Sequence, residues 1–165
     1  MREEMRRITI EHSGTEIARA AQNLIDFIDD VAPELRQAEQ VERAKTLYEY
    51  NLDETHYFVW GLDSKESINQ LWFDIQRFYT DHFINEKLTI ERNNFDAQNI
   101  LMIVKGFDDF QRAQEFYRKF LSEPEYTKNI KYEHSVFLIS ESNFIIMETD
   151  GKINDYIEFF KNEYE

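Results

Sequence analysis

Asn99-Ile100-Leu101-Met102-Ile103-Val104-Lys105-Gly106-Phe107 contains the longest unbroken apolar run of the chain, five residues followed by a lysine and a glycine. A short apolar run bounded by turn residues is typical of a strand buried on both faces, although periodicity alone also permits a buried helix. The run is too short for a helix, and the Asp108-Asp109 pair just beyond it is typical of a helix start. The stretch therefore predicts the central strand of a sheet against which helices pack.

Strand and helix patterns alternate around this central strand. Residues 56–62 and 135–139 are rich in β-branched and aromatic residues, and residues 88–92 alternate, so each segment is predicted to be a strand. One helix is predicted after the first strand, opened by a capping box at Asp63–Glu66, and another after the central strand. Their predicted buried positions are Ile68, Leu71, Trp72, Ile75, Tyr79 and Phe83 in the first, and Phe110, Ala113, Tyr117, Phe120 and Leu121 in the second. This order predicts an α+β fold with ferredoxin-like βαββαβ topology, a four-stranded antiparallel sheet with both helices on one face.

Helical patterns flank this core at both ends of the chain. Pro33 is suited to be the first residue of a helix, and before it apolar residues recur at helical spacing, at Ile17, Ala21, Leu24, Ile25 and Ile28. We therefore predict an N-terminal helical hairpin within a domain of residues 1–52 and an α+β domain over residues 53–165. Residues 142–147 are compatible with a helical turn or a further strand, and Gly151 precedes a C-terminal helix rich in aromatic residues.

Composition excludes several classes of function. The chain has 165 residues, of which 42% are hydrophobic, so it can form a sizeable core. Its 33 acidic and 19 basic residues give a formal net charge of −14, which repels phosphate backbones and predicts no nucleic-acid partner. The absence of cysteine excludes disulfides and cysteine-ligated zinc. Because no apolar stretch approaches the ~20 residues of a membrane span, direct membrane insertion of this segment is not expected.

The residues that usually carry chemistry are scattered along the chain. The histidines at positions 12, 56, 82 and 134 lack the spacing of metal ligands; His82 is predicted to interact with a helix C-terminus, while His56 and His134 both precede strands, at one end of the sheet in our interpretation. The pairs Asp29-Asp30 and Asp108-Asp109 are interpreted as helix-end residues. With only four glycines, a phosphate-binding loop is not expected. We therefore predict no enzymatic activity, cofactor or metal site.

The face of the sheet opposite the two helices is the candidate interaction surface. Alternation along the strands assigns six candidate residues to it: Tyr57, Val59, Thr89, Glu91, Leu101 and Ile103. Such a face binds RNA, glycans or a second protein in many folds, but the negative charge argues against RNA. The alternative, which we favour, is that Phe159, Phe160 and the helical hairpin cover this face.

Several segments resemble known families. Residues 11–25 resemble the second helix of a tetratricopeptide-type repeat, with alanines at packing positions. Segments 47–51, 56–59, 104–107, 137–144 and 156–160 together resemble the C-terminal domain of large tetratricopeptide-repeat lipoproteins linked to gliding motility and type IX secretion. The strand–Gly–Phe–helix pattern of residues 103–108 is also similar to peptidoglycan-binding sporulation-related (SPOR) repeats. In the corresponding segment 59–64, Leu62 replaces the aromatic residue of that pattern.

The resemblance to the C-terminal domain of these lipoproteins implies a non-enzymatic interaction or scaffold module of a periplasmic protein. The parent would be attached to the outer membrane through a lipid anchor upstream of these residues, and its partners would be envelope proteins. The similarity to SPOR repeats implies an alternative function, peptidoglycan binding through the open sheet face. A third alternative is a small dimeric ferredoxin-like enzyme with His56 or His134 in a cleft.

Overall fold

The structure, a computed structural model, describes residues 2–31, 33–131 and 134–165, with the side chains of all of these except 2, 3, 28–31 and 34–36. The chain divides into two compact units, residues 1–43 and 44–165. This division falls before the predicted domain boundary after residue 52. The reason is that Ala44 and Tyr48 are buried in the core of the second unit.

The first unit is helical. Helix α1 (Arg2–Glu11) packs on α2 (Glu16–Val31), and α3 (Pro33–Leu47) begins in this unit, with Pro33 as its first residue as predicted. Helix α2 begins where expected because the Thr15 hydroxyl accepts a hydrogen bond from the Ala18 amide at 3.2 Å. Both predicted N-terminal helices are present, with α1 before them, and the pair whose packing is shown in this unit is α1 with α2.

The second unit contains the predicted ferredoxin-like sheet. Its described strands are β1 (His56–Asp63), β2 (Thr89–Asn94), β3 (Asn99–Phe107) and β4 (Ser135–Ser140). They lie in the order β2-β3-β1-β4, and all neighbouring pairs are antiparallel. The connections contain α4 (Asn69–His82), α5 (Phe110–Ser122) and the short α6 (Pro124–Thr127). The run Ile100–Val104 is buried at every position in β3, as its unbroken apolar character predicted.

Helices α4 and α5 cover one face of the sheet through an aromatic cluster. Phe58 of β1 contacts Phe116 and Phe120 of α5, with ring centroids 5.1 and 5.3 Å apart. Phe78 of α4 reaches the same two rings at 5.0 and 5.1 Å. Phe58 and Trp60 point to the same side of β1, and both contact the ring of Phe120 in α5. Helices α4 and α5 therefore lie on that side of the sheet, as the topology predicted.

Two further helices cover the opposite face. Helix α7 (Glu141–Asp150) forms where a helical turn or a strand was expected, so the helical alternative is the correct one. The Ser140 hydroxyl accepts from the Asn143 amide, and Gly151 ends the helix in a left-handed conformation at φ 71°. Helix α8 (Ile153–Glu163) follows directly and buries Ile153, Tyr156, Phe159 and Phe160. None of the helices in the described ranges is both long and apolar enough to cross a lipid bilayer.

Two local predictions were wrong. The capping box at Asp63–Glu66 does not form, because β1 continues to Asp63 and α4 begins only at Asn69, without a side-chain cap. In α5 the predicted Phe120 is fully buried, but so is Phe116, which was not predicted, whereas the predicted Leu121 is 41% exposed. The sequence places apolar residues on both sides of this helix, and only the sheet beneath it selects between them.

Candidate functional site

The six candidate interaction residues share one face of the sheet, as predicted. In the strand register Val59 pairs with Ile103 and Ile103 with Glu91, while Lys105 pairs with both Tyr57 and Thr89. Leu101, two residues from Ile103, points to the same side. Thr89 and Glu91 of the edge strand β2 are exposed. The strand register therefore places these residues on one face of the sheet, and their role in binding a partner stays a prediction.

The same face is not open at its centre. Tyr57, Val59, Leu101 and Ile103 are 7%, 0%, 0% and 1% exposed, so the prediction of a free surface at these four positions is corrected. The ring of Phe144 in α7 lies 5.4 Å from that of Tyr57, and the ring of Tyr156 in α8 lies 5.4 Å from that of Phe137. Phe159 also takes part in this cover, whereas Phe160 contacts Tyr117 of α5. The alternative that Phe159 contributes to covering the face is thus supported.

Charged groups surround the rim of the covered face. The Lys105 ammonium bonds to Glu91 at 2.8 Å and lies 5.2 Å from the Tyr57 ring centroid. The Tyr57 hydroxyl donates to Glu141 at 2.9 Å. Burial, followed by this carboxylate neighbour, raises the pKa of Tyr57 well above its ordinary value. These contacts satisfy the polar groups of the rim within the protein.

His56 and His134 lie at opposite ends of the sheet, contrary to our interpretation from sequence. His56 pairs with Ser140, the last residue of β4, whereas His134 directly precedes Ser135, the first. The reason is that β1 and β4 are antiparallel, so the start of β1 meets the end of β4. The two imidazoles are therefore not brought together in one site.

His56 is a buried histidine at the start of β1. It is 1% exposed, its Nδ1 lies 2.7 Å from the Glu54 carbonyl oxygen, and its Nε2 has no hydrogen-bond partner among the described residues. Its ring packs edge-on against Phe110 at 5.4 Å. Burial lowers the pKa of His56 below 6.5, against the opposing effects of Glu54 and Asp109. These contacts indicate a neutral core residue.

We expect His56 to make folding stability pH-dependent. Because its folded-state pKa is below the ordinary value of 6.5, its contribution is fully present above that pH and is lost as the pH falls below it. The loss approaches at most about 1.4 kcal/mol per pH unit. Between pH 7.5 and pH 5, urea unfolding should show a smaller decrease in the free energy of unfolding for His56→Asn than for the wild type. At pH 7.5 the variant is expected to be the less stable of the two. Parallel pH profiles of the two proteins would contradict the assignment.

His134 belongs to a bonded group at the other end of the sheet. Its side chain is 0% exposed, and its Nε2 lies 2.9 Å from a carboxylate oxygen of Glu66. Its Nδ1 accepts from the indole Nε1–H of Trp60 at 3.1 Å and from the Lys131 amide at 3.2 Å. The Lys131 ammonium bonds to the second Glu66 oxygen at 2.6 Å. Sequence reasoning missed this group because its members are distant in the chain and follow no motif.

The remaining candidate groups have local structural roles. Asp109 caps α5, with its carboxylate accepting from the Arg112 amide at 2.8 Å, as predicted. His82 is the last residue of α4, and its ring packs on Phe78 at 5.0 Å. The side chains of Asp29 and Asp30 lie outside the described ones. In the part of the chain that the structure describes, no group of three or more His, Cys, Asp and Glu residues is arranged to hold a metal ion.

Residues 49–54, the joint before β1, are hydrogen-bonded to α7, and sequence reasoning missed these bonds. The Asn143 side chain, fully buried, accepts from the Glu49 amide at 3.0 Å and donates to the Glu49 carbonyl at 2.8 Å. The Glu54 carboxylate accepts from the amide and the hydroxyl of Ser142, both at 2.7 Å. These hydrogen bonds hold the segment before β1 against the first turn of α7.

A cavity of about 480 Å³ lies where β1 ends and β3 and β4 begin. It is lined by the turn after β1, including Asp63, Ser64 and Lys65, and by Asn154 of α8. The Ser64 hydroxyl donates to the Ala97 carbonyl at 2.8 Å, and Asp63 accepts from the Lys65 amide at 2.8 Å. Turn-forming bonds therefore engage these polar groups.

Comparison with known proteins places the chain in no family. No protein-family model matches it, and no solved structure is significantly similar. A similarity is found to the ribosome maturation factor RimM of Clostridioides difficile strain 630, with 23% identity over 113 residues. The match covers 62% of this chain and 66% of that protein, so just under two thirds of the relative is spanned. Identity at this level does not establish shared function.

Proposed function

We propose that this chain is a non-enzymatic interaction module, the C-terminal domain of a periplasmic repeat protein anchored at the outer membrane. In this proposal the helical unit is the last part of a repeat array, and the α+β unit ends the protein. Its partners are envelope proteins. The resemblance of its aromatic segments to the terminal domains of such lipoproteins motivates the proposal, and the surface of α2 supports it.

The observation that carries the proposal is that α2 has two apolar faces. Ala18, Ala21 and Ile25, at positions i, i+3 and i+7, are 9%, 9% and 5% exposed. On the neighbouring face, Ile17, Leu24 and Phe27 are 60%, 44% and 61% exposed. A helix at the surface of an isolated domain needs only one apolar stripe, whereas a helix inside a stacked array packs on both sides.

The alternatives receive less support. Glycan binding by the sheet would need accessible side chains, but four of the six candidate residues are buried. In the enzyme alternative, His134 would need a free ring nitrogen, but both of its nitrogens are bonded within the protein. A role in ribosome maturation, named for RimM, would have to accommodate a net charge of −14 near RNA.

Site-specific photo-cross-linking tests the proposal. A benzophenone amino acid is placed at Ile17 on the exposed face of α2 and, as a matched control, at Phe73 on α4, which is 57% exposed. We expect defined adducts with envelope proteins, or with helical repeats of the parent chain, from position 17 and not from position 73. Replacing Leu24 by serine should suppress those adducts without changing the circular dichroism spectrum.

Two outcomes would contradict the proposal. Equal cross-linking from positions 17 and 73 would show that the α2 face has no preferred partner. Sedimentation of the chain with purified peptidoglycan sacculi, abolished by replacing the exposed Thr89 and Glu91, would favour the glycan alternative.

A further inference from the structure

The hydrogen bonds around His134 determine which ring nitrogen carries its proton. Both Trp60 Nε1–H and the Lys131 amide donate to Nδ1, at 3.1 and 3.2 Å, so Nδ1 is the unprotonated acceptor. The proton of the neutral ring therefore lies on Nε2 and is donated to Glu66 at 2.9 Å. In this state every nitrogen of the imidazole has a partner.

Glu66 is held as a carboxylate next to this ring. The Lys131 ammonium, with His134 as a further partner, lowers the pKa of Glu66 below its usual range. The other charged groups near the ring belong to α8 and the residues after it, because Lys161 and Glu165 line a groove of about 340 Å³ that His134 also lines. These groups define the charges that the imidazole faces in the described structure.

A second proton on His134 is incompatible with its present bonds. It would enter at Nδ1 and place an N–H opposite two other donors, so that both would lose their acceptor. Trp60 is 0% exposed, which leaves its indole N–H without water as a replacement partner. Glu66, in contrast, would still attract the imidazolium.

We propose that His134 is a proton-operated latch that binds Trp60 of β1 while neutral and releases it on protonation. The imidazolium stays with Glu66 and turns towards the groove beside α8, and the Trp60 indole loses its acceptor. The latch is independent of the function proposed above. It is a conformational device of the α+β unit, located at the end of the sheet opposite His56.

Nuclear magnetic resonance of the indole N–H groups tests the latch in the full chain. The two tryptophans are assigned with Trp72→Phe, and Trp72 serves as the internal reference because it lies on α4 outside the group. On acidification the Trp60 signal should move. Its hydrogen-exchange rate, divided by that of Trp72 at the same pH to remove the intrinsic pH dependence of exchange, should rise about tenfold, the factor corresponding to the loss of one hydrogen bond. The Trp72 signal should remain nearly constant over the same range.

Two variants distinguish the latch from general acid effects. His134→Gln cannot titrate, so the Trp60 response should disappear, whereas a response caused by His56 would persist and overturn the proposal. Glu66→Gln removes the charge that attracts the imidazolium and should move the midpoint of the Trp60 response to lower pH. If His134→Gln does not fold, the comparison of wild type with Glu66→Gln decides alone. An unchanged or raised midpoint, or a Trp60 signal independent of pH in the wild type, also overturns the proposal.

Discussion

Replacing Phe116 by alanine should lower the free energy of unfolding by about 4 kcal/mol, the largest effect we expect from a single truncation in this protein. Phe116 is 0% exposed at the centre of the aromatic cluster that joins the sheet to α4 and α5. Its ring lies within 5.4 Å of four others, those of Phe58, Phe78, Phe83 and Phe107. Truncation removes this buried area and leaves a cavity that several rings cannot fill without moving. Urea unfolding followed by circular dichroism measures the loss.

Phe73→Ala is the matched control for this prediction. Phe73 lies on α4 and is 57% exposed, so its truncation should change the stability by less than about 1 kcal/mol. Similar losses for the two variants would mean that the cluster does not have the packing described above.

Replacing Gly106 by alanine should destabilise the protein by about 3 kcal/mol. Gly106 has φ +111°, a conformation that L-residues rarely adopt, and a Cβ built there would lie 2.6 Å from the carbonyl oxygen of Lys87. Because that oxygen belongs to the backbone leading into β2, relief requires the strand itself to shift. Thermal and urea unfolding should both detect the change.

Gly151→Ala is the control for this prediction, because Gly151 also has a positive φ but lies in open space. Gly151 ends α7 at φ +71°, but nothing lies within 4 Å of its Cβ position. Alanine there should cost only the left-handed conformation, about 1 kcal/mol. The extra loss at Gly106 therefore reflects the contact with Lys87 together with its less favourable φ of +111°, and a Gly106→Ala variant as stable as Gly151→Ala would contradict the close approach.

The two strand–glycine segments, residues 59–64 and 103–108, differ in structure although both are similar to the same SPOR pattern. Gly106 has both a positive φ and a close approach to the backbone of Lys87. Gly61 has neither, since its Cβ would make ordinary contacts of 3.6 Å with Leu101 and Ser135. The two segments look like copies of one pattern, but only the second requires glycine for steric reasons.

The sequence predicted which residues lie on the candidate interaction face, but it did not predict whether their side chains are exposed. Alternation along each strand assigned six residues to one side, because successive side chains of a strand point to opposite faces. Whether that side is covered depends on α7 and α8. The segment that forms α7 contains Phe144-Ile145-Ile146-Met147, an apolar run without a clear period, and the sequence left it open between helix and strand.

Local pattern by itself determined the order of strands and helices, the antiparallel topology and the identity of β3 as the buried central strand. These follow from the spacing of apolar residues and from chain-connection rules, both of which operate over short distances in sequence. Only the tertiary structure decided that Phe116 rather than Leu121 enters the core, that Asn143 fastens the joint, and that His134, Trp60 and Glu66 meet. Each of these depends on side chains brought together from distant segments, and burial and hydrogen-bond geometry become defined only after the elements have packed.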